Sequence, residues 1–304
     1  MNRNPKRAFF AIALLMLAAT PGTVTAQAPA EPSDPITDDA AAPDPADERA
    51  EKIAEAKDRV REGDYRAAAE LLAALIDDHT QDTYLLALYG EVLVASGDAK
   101  NAVPVLKRAL QADPERPRLH FQIATAYTTL GDVEEALAAF SREIEVNEDP
   151  EIRYLAHVNR SILLNGGQQW ADAAASLEQA LLLKPDHPDA YAELASLYLE
   201  AGDPAQAAAA LARGAETGFR SARLYFNVGA RLYNDQHYEE AEQAFRSALE
   251  VDGKMAEAER SLAATLSQLG RDDEAREHLG RYLQLRPDAP DAVEVREHLA
   301  ASKD

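Results

Sequence analysis

The chain has 304 residues, a formal net charge of −22, 28% charged side chains and no cysteine. That charge argues against nucleic acid and anionic lipid as partners, since both are held chiefly by Lys and Arg. Without cysteine there is no disulfide framework, thiol nucleophile, Cys-ligated zinc, iron–sulfur cluster or lipid-modified cysteine.

Residues 1–26 read as a signal peptide. Arg3, Lys6 and Arg7 precede an apolar run from Ala8 to Ala19, Pro21-Gly22 breaks it, and Val24-Thr25-Ala26 offers small residues for a cut near Ala26. The run is shorter than the ~20 apolar residues of a membrane-spanning helix. The mature protein is therefore expected to be soluble and periplasmic, with no membrane insertion after signal removal. Residues 27–48 follow as a disordered acidic linker. Between Gln27 and Asp47 lie five Pro, six Asp or Glu and no Lys or Arg, a composition that cannot bury enough apolar surface to offset its ordering entropy.

From Arg49 the chain repeats itself, and Thr83 to Arg116 shows the pattern best. Leu86, Tyr89, Gly90 and Leu93 share one face of a first helix. Gly97 breaks it, and Asp98 is placed to cap a second helix whose apolar face is Ala102, Leu106, Ala109 and Leu110. Asp113-Pro114 ends that helix, because Pro lacks an N–H and disfavours helical geometry in the residue before it. The same grid recurs over 49–82, 83–116, 117–153, 154–187, 188–221, 222–255 and 256–289, with a period of 34 broken once by 37. The turn between helices carries Gly63, Gly97, Gly131, Gly202 and Gly270, with Gln168 and Gln236 in repeats four and six. Early in the second helix stands Ala68, Ala102, Ala136, Ala173, Ala207, Ala241 or Ala275, and four residues later a Leu or Phe.

The three extra residues of the longer period fall near Pro150, where they are expected to lengthen the loop between repeats three and four. Pro204 fits a first helical turn, whereas Pro104 falls inside a helix and should weaken it. Residues 290–304 read as a capping helix with Val293, Val295 and Leu299 apolar.

These residues resemble the tetratricopeptide repeat family from Arg49 to Ala289. The resemblance implies an all-α, right-handed solenoid of about seven helix–turn–helix repeats, in which stacking of neighbours buries faces that one repeat cannot bury alone. It also implies a concave groove, lined by the first helices, that holds a protein or peptide partner. Carried over by register, that groove contains Tyr84 in repeat two, Arg118 and Phe121 in repeat three, and Val158 and Ile162 in repeat four. Repeat six adds Arg223, Phe226 and Tyr233, and repeat seven adds Arg260. The aromatic residues among them stand where the solenoid is not expected to need them for its core, and aromatic and Arg side chains are frequent interface anchors. The carboxylate clamp of some family members is not carried over, since Asn159 and Asn227 match one of its Asn positions without an accompanying Lys.

Chemistry is sparse. The seven His form no H-x-x-x-H pair, and no Walker loop, G-x-S-x-G or G-x-G-x-x-G occurs. The expectation is a non-catalytic scaffold with no cofactor and no metal, self-association remaining open. A second reading is a structural accessory of an envelope secretion or assembly complex, acting through its convex or end surfaces.

Overall fold

The computed structural model describes residues 45–301; residues 1–26, expected to be a signal peptide, and nearly all of the expected acidic linker lie outside them. Among the described residues there are fifteen helices and no strand. They form two compact units that divide after Glu148.

The N-terminal unit holds three helix pairs: α1 (Pro45–Arg61) with α2 (Tyr65–Ala73), α3 (Thr83–Ala95) with α4 (Ala99–Ala112), and α5 (Leu119–Leu130) with α6 (Val133–Val146). The first helix starts four residues before the expected repeat boundary, because Asp47 and Glu48 stand in its first turn, where acidic groups suit the helix dipole. Helix α3 is apolar on two sides. Leu85 and Val92 pack with Ala56, Val60, Ala68 and Leu72 of the preceding pair. One residue further round, Leu86 and Leu93 pack with Ala102, Leu106 and Ala109 of α4, and with Leu119, Ile123 and Ala126 of α5. Each pair thus completes the core of its neighbour.

The C-terminal unit continues with α7 (Pro150–Gly166) and α8 (Trp170–Leu183), α9 (Pro188–Ala201) and α10 (Pro204–Glu216), and α11 (Ala222–Asn234) and α12 (Tyr238–Val251). It ends with α13 (Ala256–Gln268), α14 (Asp272–Leu285) and the single helix α15 (Ala292–Ala301). All seven alanines of the second helices are buried, so the helices of each pair meet where no larger side chain fits.

The link between paired helices needs two residues. Gly97 stands at φ +88°, and its N–H donates to the Val94 carbonyl. The Asp98 N–H donates to the Leu93 carbonyl at 2.8 Å while its carboxylate accepts from the Asn101 N–H. One residue in left-handed geometry thus closes the first helix and the next caps the second. Gln168 and Gln236 adopt the same left-handed backbone, at φ 60° and 67°, with the same backbone hydrogen bonds. The tertiary packing imposes this conformation on residues that disfavour it by about 1–2 kcal/mol.

The extra residues near Pro150 do not lengthen a loop as the sequence suggests; they lengthen a helix. Asp149 caps α7 by accepting from the Glu151 N–H at 2.8 Å, and Pro150 occupies the first turn. The inserted residues carry a helix-start signal of their own. Helix α7 therefore runs to 17 residues, against 12 to 14 in α3, α5, α9, α11 and α13. Pro104 sits inside α4 as expected, on the exposed side, where water can satisfy the carbonyl it leaves free.

A Cβ on Gly90 would collide with the buried Leu106 side chain, whereas one on Gly166 meets nothing within 4 Å. Gly90→Ala should therefore lower stability by ~1–3 kcal/mol, and Gly166→Ala should leave it equal or up to ~1 kcal/mol higher. Gln236→Gly should also raise it, by up to ~1 kcal/mol. Urea unfolding of the three variants checks the order.

Candidate partner-binding face

In the N-terminal unit the first helices are α1, α3 and α5, and Tyr84 stands in the first turn of α3 with 42% of its surface exposed. The Lys57 ammonium of α1 lies 5.3 Å from its ring centre, and the Arg116 guanidinium, from the turn before α5, lies 5.5 Å away. Cation–π contacts of this kind are worth ~0.5–1 kcal/mol at exposed sites. Neither cation was among the residues expected from the repeat register. Lys57 is in register on the first repeat, but the first helix of that repeat carries no aromatic of its own. Arg116 lies in a turn, where helical spacing carries no signal.

Arg118 is half-buried and occupies the N-cap of α5 in left-handed geometry, φ 72°. A neighbouring helix supplies the cap that its own side chain does not. The carboxylate of Glu143 on α6, 1% exposed, accepts from the Phe121 N–H at 2.9 Å and from the Asn147 side-chain amide at 2.5 Å. Phe121 is only 7% exposed and meets Phe140 edge-on, with ring centres 5.3 Å apart. It is a core residue, contrary to the expectation that the packing would not need it: a Phe on the facing helix leaves an aromatic gap beside it that Phe121 fills. Across this face Glu91 accepts from the Gln122 amide at 2.9 Å. Burial pushes its carboxyl above the ordinary value, against the opposing pull of Arg118 and Gln122.

In the C-terminal unit Val158 and Ile162 are half-buried on α7. On α11 Arg223 is exposed and lies 5.9 Å from the ring centre of Phe226. Phe226 is half-buried against Phe245, 5.7 Å between ring centres, and is therefore partly core as well. Tyr233, also half-buried, meets Tyr238 edge-on at 5.5 Å. Arg260 has a structural partner: it pairs with Asp291 at 2.5 Å, and Asp291 accepts from the Tyr282 hydroxyl at 2.6 Å. Those two bonds hold the Asp291 carboxyl below its ordinary range and fasten the segment leading into α15. Beside them a cavity of about 580 Å³ is lined by Arg260, Ala264 and Ser267 of α13 with Leu279, Val295 and His298.

Among the described residues no cluster of three or more His, Asp or Glu is arranged to hold a metal ion, and no helix is long and apolar enough to cross a membrane. Stacked helix pairs, with exposed aromatic and cationic groups on their first helices, define a helical-repeat protein whose candidate site is a surface.

The chain belongs to the tetratricopeptide repeat family. One family model of that description matches residues 93–156, 166–232 and 232–299, and a second matches residues 53–117. The solved structure of Naa15/Naa10 bound to HypK-THB shares 16% identity over 84% of this chain at a TM-score of 0.60. This chain spans only 39% of that one. The C-terminal part of a repeat-containing protein from Cytophaga hutchinsonii shares 13% identity at a TM-score of 0.56, covering 80% of this chain and 98% of its own. A repeat protein from Parabacteroides merdae shares 18% identity over 85% of this chain and 100% of its own, at a TM-score of 0.48. At these identities the likeness shows the fold alone. No curated protein matches the chain.

One buried group makes stability pH-dependent. His157 on α7 is 8% exposed; its burial, then Arg160 and Arg153 beside it, push its pKa down to about 4. Between pH 6.5 and 4 the unfolded chain binds a proton here that the folded chain does not, so stability falls as pH drops through that window. His157→Leu, which places an apolar residue where repeat two has Leu86, should remove ~2 kcal/mol of that fall. Thermal unfolding of both proteins from pH 7 to pH 4 measures the difference.

Proposed function

We propose that the protein is an exported, non-catalytic scaffold that binds a protein or extended peptide on the face formed by its first helices. One observation carries this reading: aromatic rings on that face, exposed at Tyr84 and half-buried at Phe226, have cations beside them, Lys57 and Arg116 at the first and Arg223 at the second, in a strongly acidic chain. Aromatic and Arg side chains lose little on desolvation and dominate interface energies. Tyr84, Arg223, Tyr233, Val158 and Ile162 are the contact residues of this reading. Phe121 and Phe226 support the face from beneath, and Arg260 fastens its C-terminal end. The signal-like pattern of residues 1–26 supports export to the periplasm.

Photo-crosslinkers at Ile162 and Tyr233, on first helices, should trap a partner in cells. One at Leu182, which is 70% exposed on a second helix, should not. Tyr84→Ala combined with Arg223→Glu should weaken capture of the trapped partner by about thirtyfold, the equivalent of one hot spot. Trapping from Leu182 alone would overturn the first-helix face in favour of an accessory that works through its other surface. N-terminal sequencing of protein from the envelope should find a start near Gln27; an intact Met1 would overturn export.

A further inference from the structure

We propose that Lys57, Tyr84 and Arg116 form an anchoring subsite for acidic side chains of an extended peptide. This inference rests on the reading of the first-helix face as the binding surface and adds the chemical class of its partner.

Most cations of helix α1 are paired. Arg49 bridges to Asp82, Lys52 to Glu48, Arg59 to Glu55 and Glu62, and Arg61 to Asp58. Lys57 has no ion pair among the described residues and rests on Tyr84 instead. The sequence withholds a partner from it. The positions three and four residues away on the helix are Ile53, Ala54, Val60 and Arg61, so no carboxylate stands within helical reach. Arg116 also has no ion pair among the described residues and leans on the same ring. In a chain with 53 acidic residues, these two cations converge on one exposed tyrosine instead of a carboxylate, and on α1 Lys57 is the exception to the pairing of its neighbours.

The geometry leaves the charges available. A cation over an aromatic ring is oriented by it but keeps its N–H donors. An Arg stacked by its flat face still presents an in-plane fork that matches a carboxylate. The tyrosine thus holds two long side chains that would otherwise lose rotamer freedom on binding. Glu91, the acidic group on the same face, is already engaged by the Gln122 amide. Two cations suffice for one or two carboxylates. They do not suffice for a polyphosphate backbone, which the negative charge of the remaining chain repels.

The probe is a fluorescein-labelled peptide of alternating Glu and Ala, with its Gln counterpart as control, followed by anisotropy on the full mature chain at low ionic strength. The Glu peptide should bind at least about tenfold more tightly than the Gln peptide. Lys57→Gln and Arg116→Gln should each weaken it by about tenfold while lowering the unfolding temperature by no more than about 4 °C. Arg66→Gln, at an exposed cation on α2, should leave it unchanged. Equal binding of both peptides, or an equal loss with Arg66→Gln, would overturn the subsite as non-specific attraction. A gain of tenfold or more on combining Glu31→Gln, Asp34→Asn, Asp38→Asn, Asp39→Asn and Asp44→Asn would overturn a partner as the occupant and assign the site to the chain's own acidic segment. If crosslinking from Tyr233 persists while the Glu peptide fails, the acidic preference is wrong and the binding face stands.

Discussion

Close approach of two helices at a small buried residue is the constraint on which the rest of this structure depends. An alanine early in each second helix, and Gly90 and Gly229 in facing first helices, let the backbones come near enough for Leu or Phe side chains to interlock. A Cβ on Gly229 would lie 2.9 Å from the Phe245 ring. Once a pair is that close, its first helix still has an apolar side left over. Leu85 and Val92 spend it on the preceding pair, and Leu86 and Leu93 reach the following one. Stability is then a sum of neighbour contacts, and no single centre holds the fold.

That arrangement separates positions that pack from positions available for binding, and the separation is less strict than a repeat grid suggests. Phe121 belongs by register to the first-helix face and by burial to the core. It is drawn inward by Phe140 beside it and by Glu143 of α6, which caps α5. Arg260 is similarly recruited, because Asp291 places a carboxylate where Arg260 can reach it. Past the last helix pair described, the Arg260–Asp291–Tyr282 bonds fasten the segment leading into α15. Tyr84 remains outward-facing, and with it the two cations that lean on its ring.

Charge follows the same logic. About half of the cations among the described residues meet carboxylates, on the same helix or on the neighbouring repeat, as with Arg271 between Glu242 and Glu274. Exposed pairs of this kind contribute little each. On helix α1 they leave Lys57 as the one cation without a carboxylate, so its contact with the Tyr84 ring stands out.

The sequence alone determined the element type, the number of helix pairs and the turn between paired helices, because each rests on local rules: helical spacing, left-handed glycine and an Asp cap. It also located the face on which binding groups are sought. It did not decide which side chains on that face are free, because burial depends on what a neighbouring helix presents, as Phe121 and Arg260 show. It did not place Arg116 beside Tyr84, because they stand 32 positions apart in the chain and only the stacking of successive repeats brings a turn residue onto a helix. The helix start at Asp149-Pro150 was legible in the residues themselves, but a shift in repeat length reads equally well as loop or helix. Only the fold chose between them, since a capped α7 satisfies its backbone hydrogen bonds within itself and a longer loop would have to find them elsewhere.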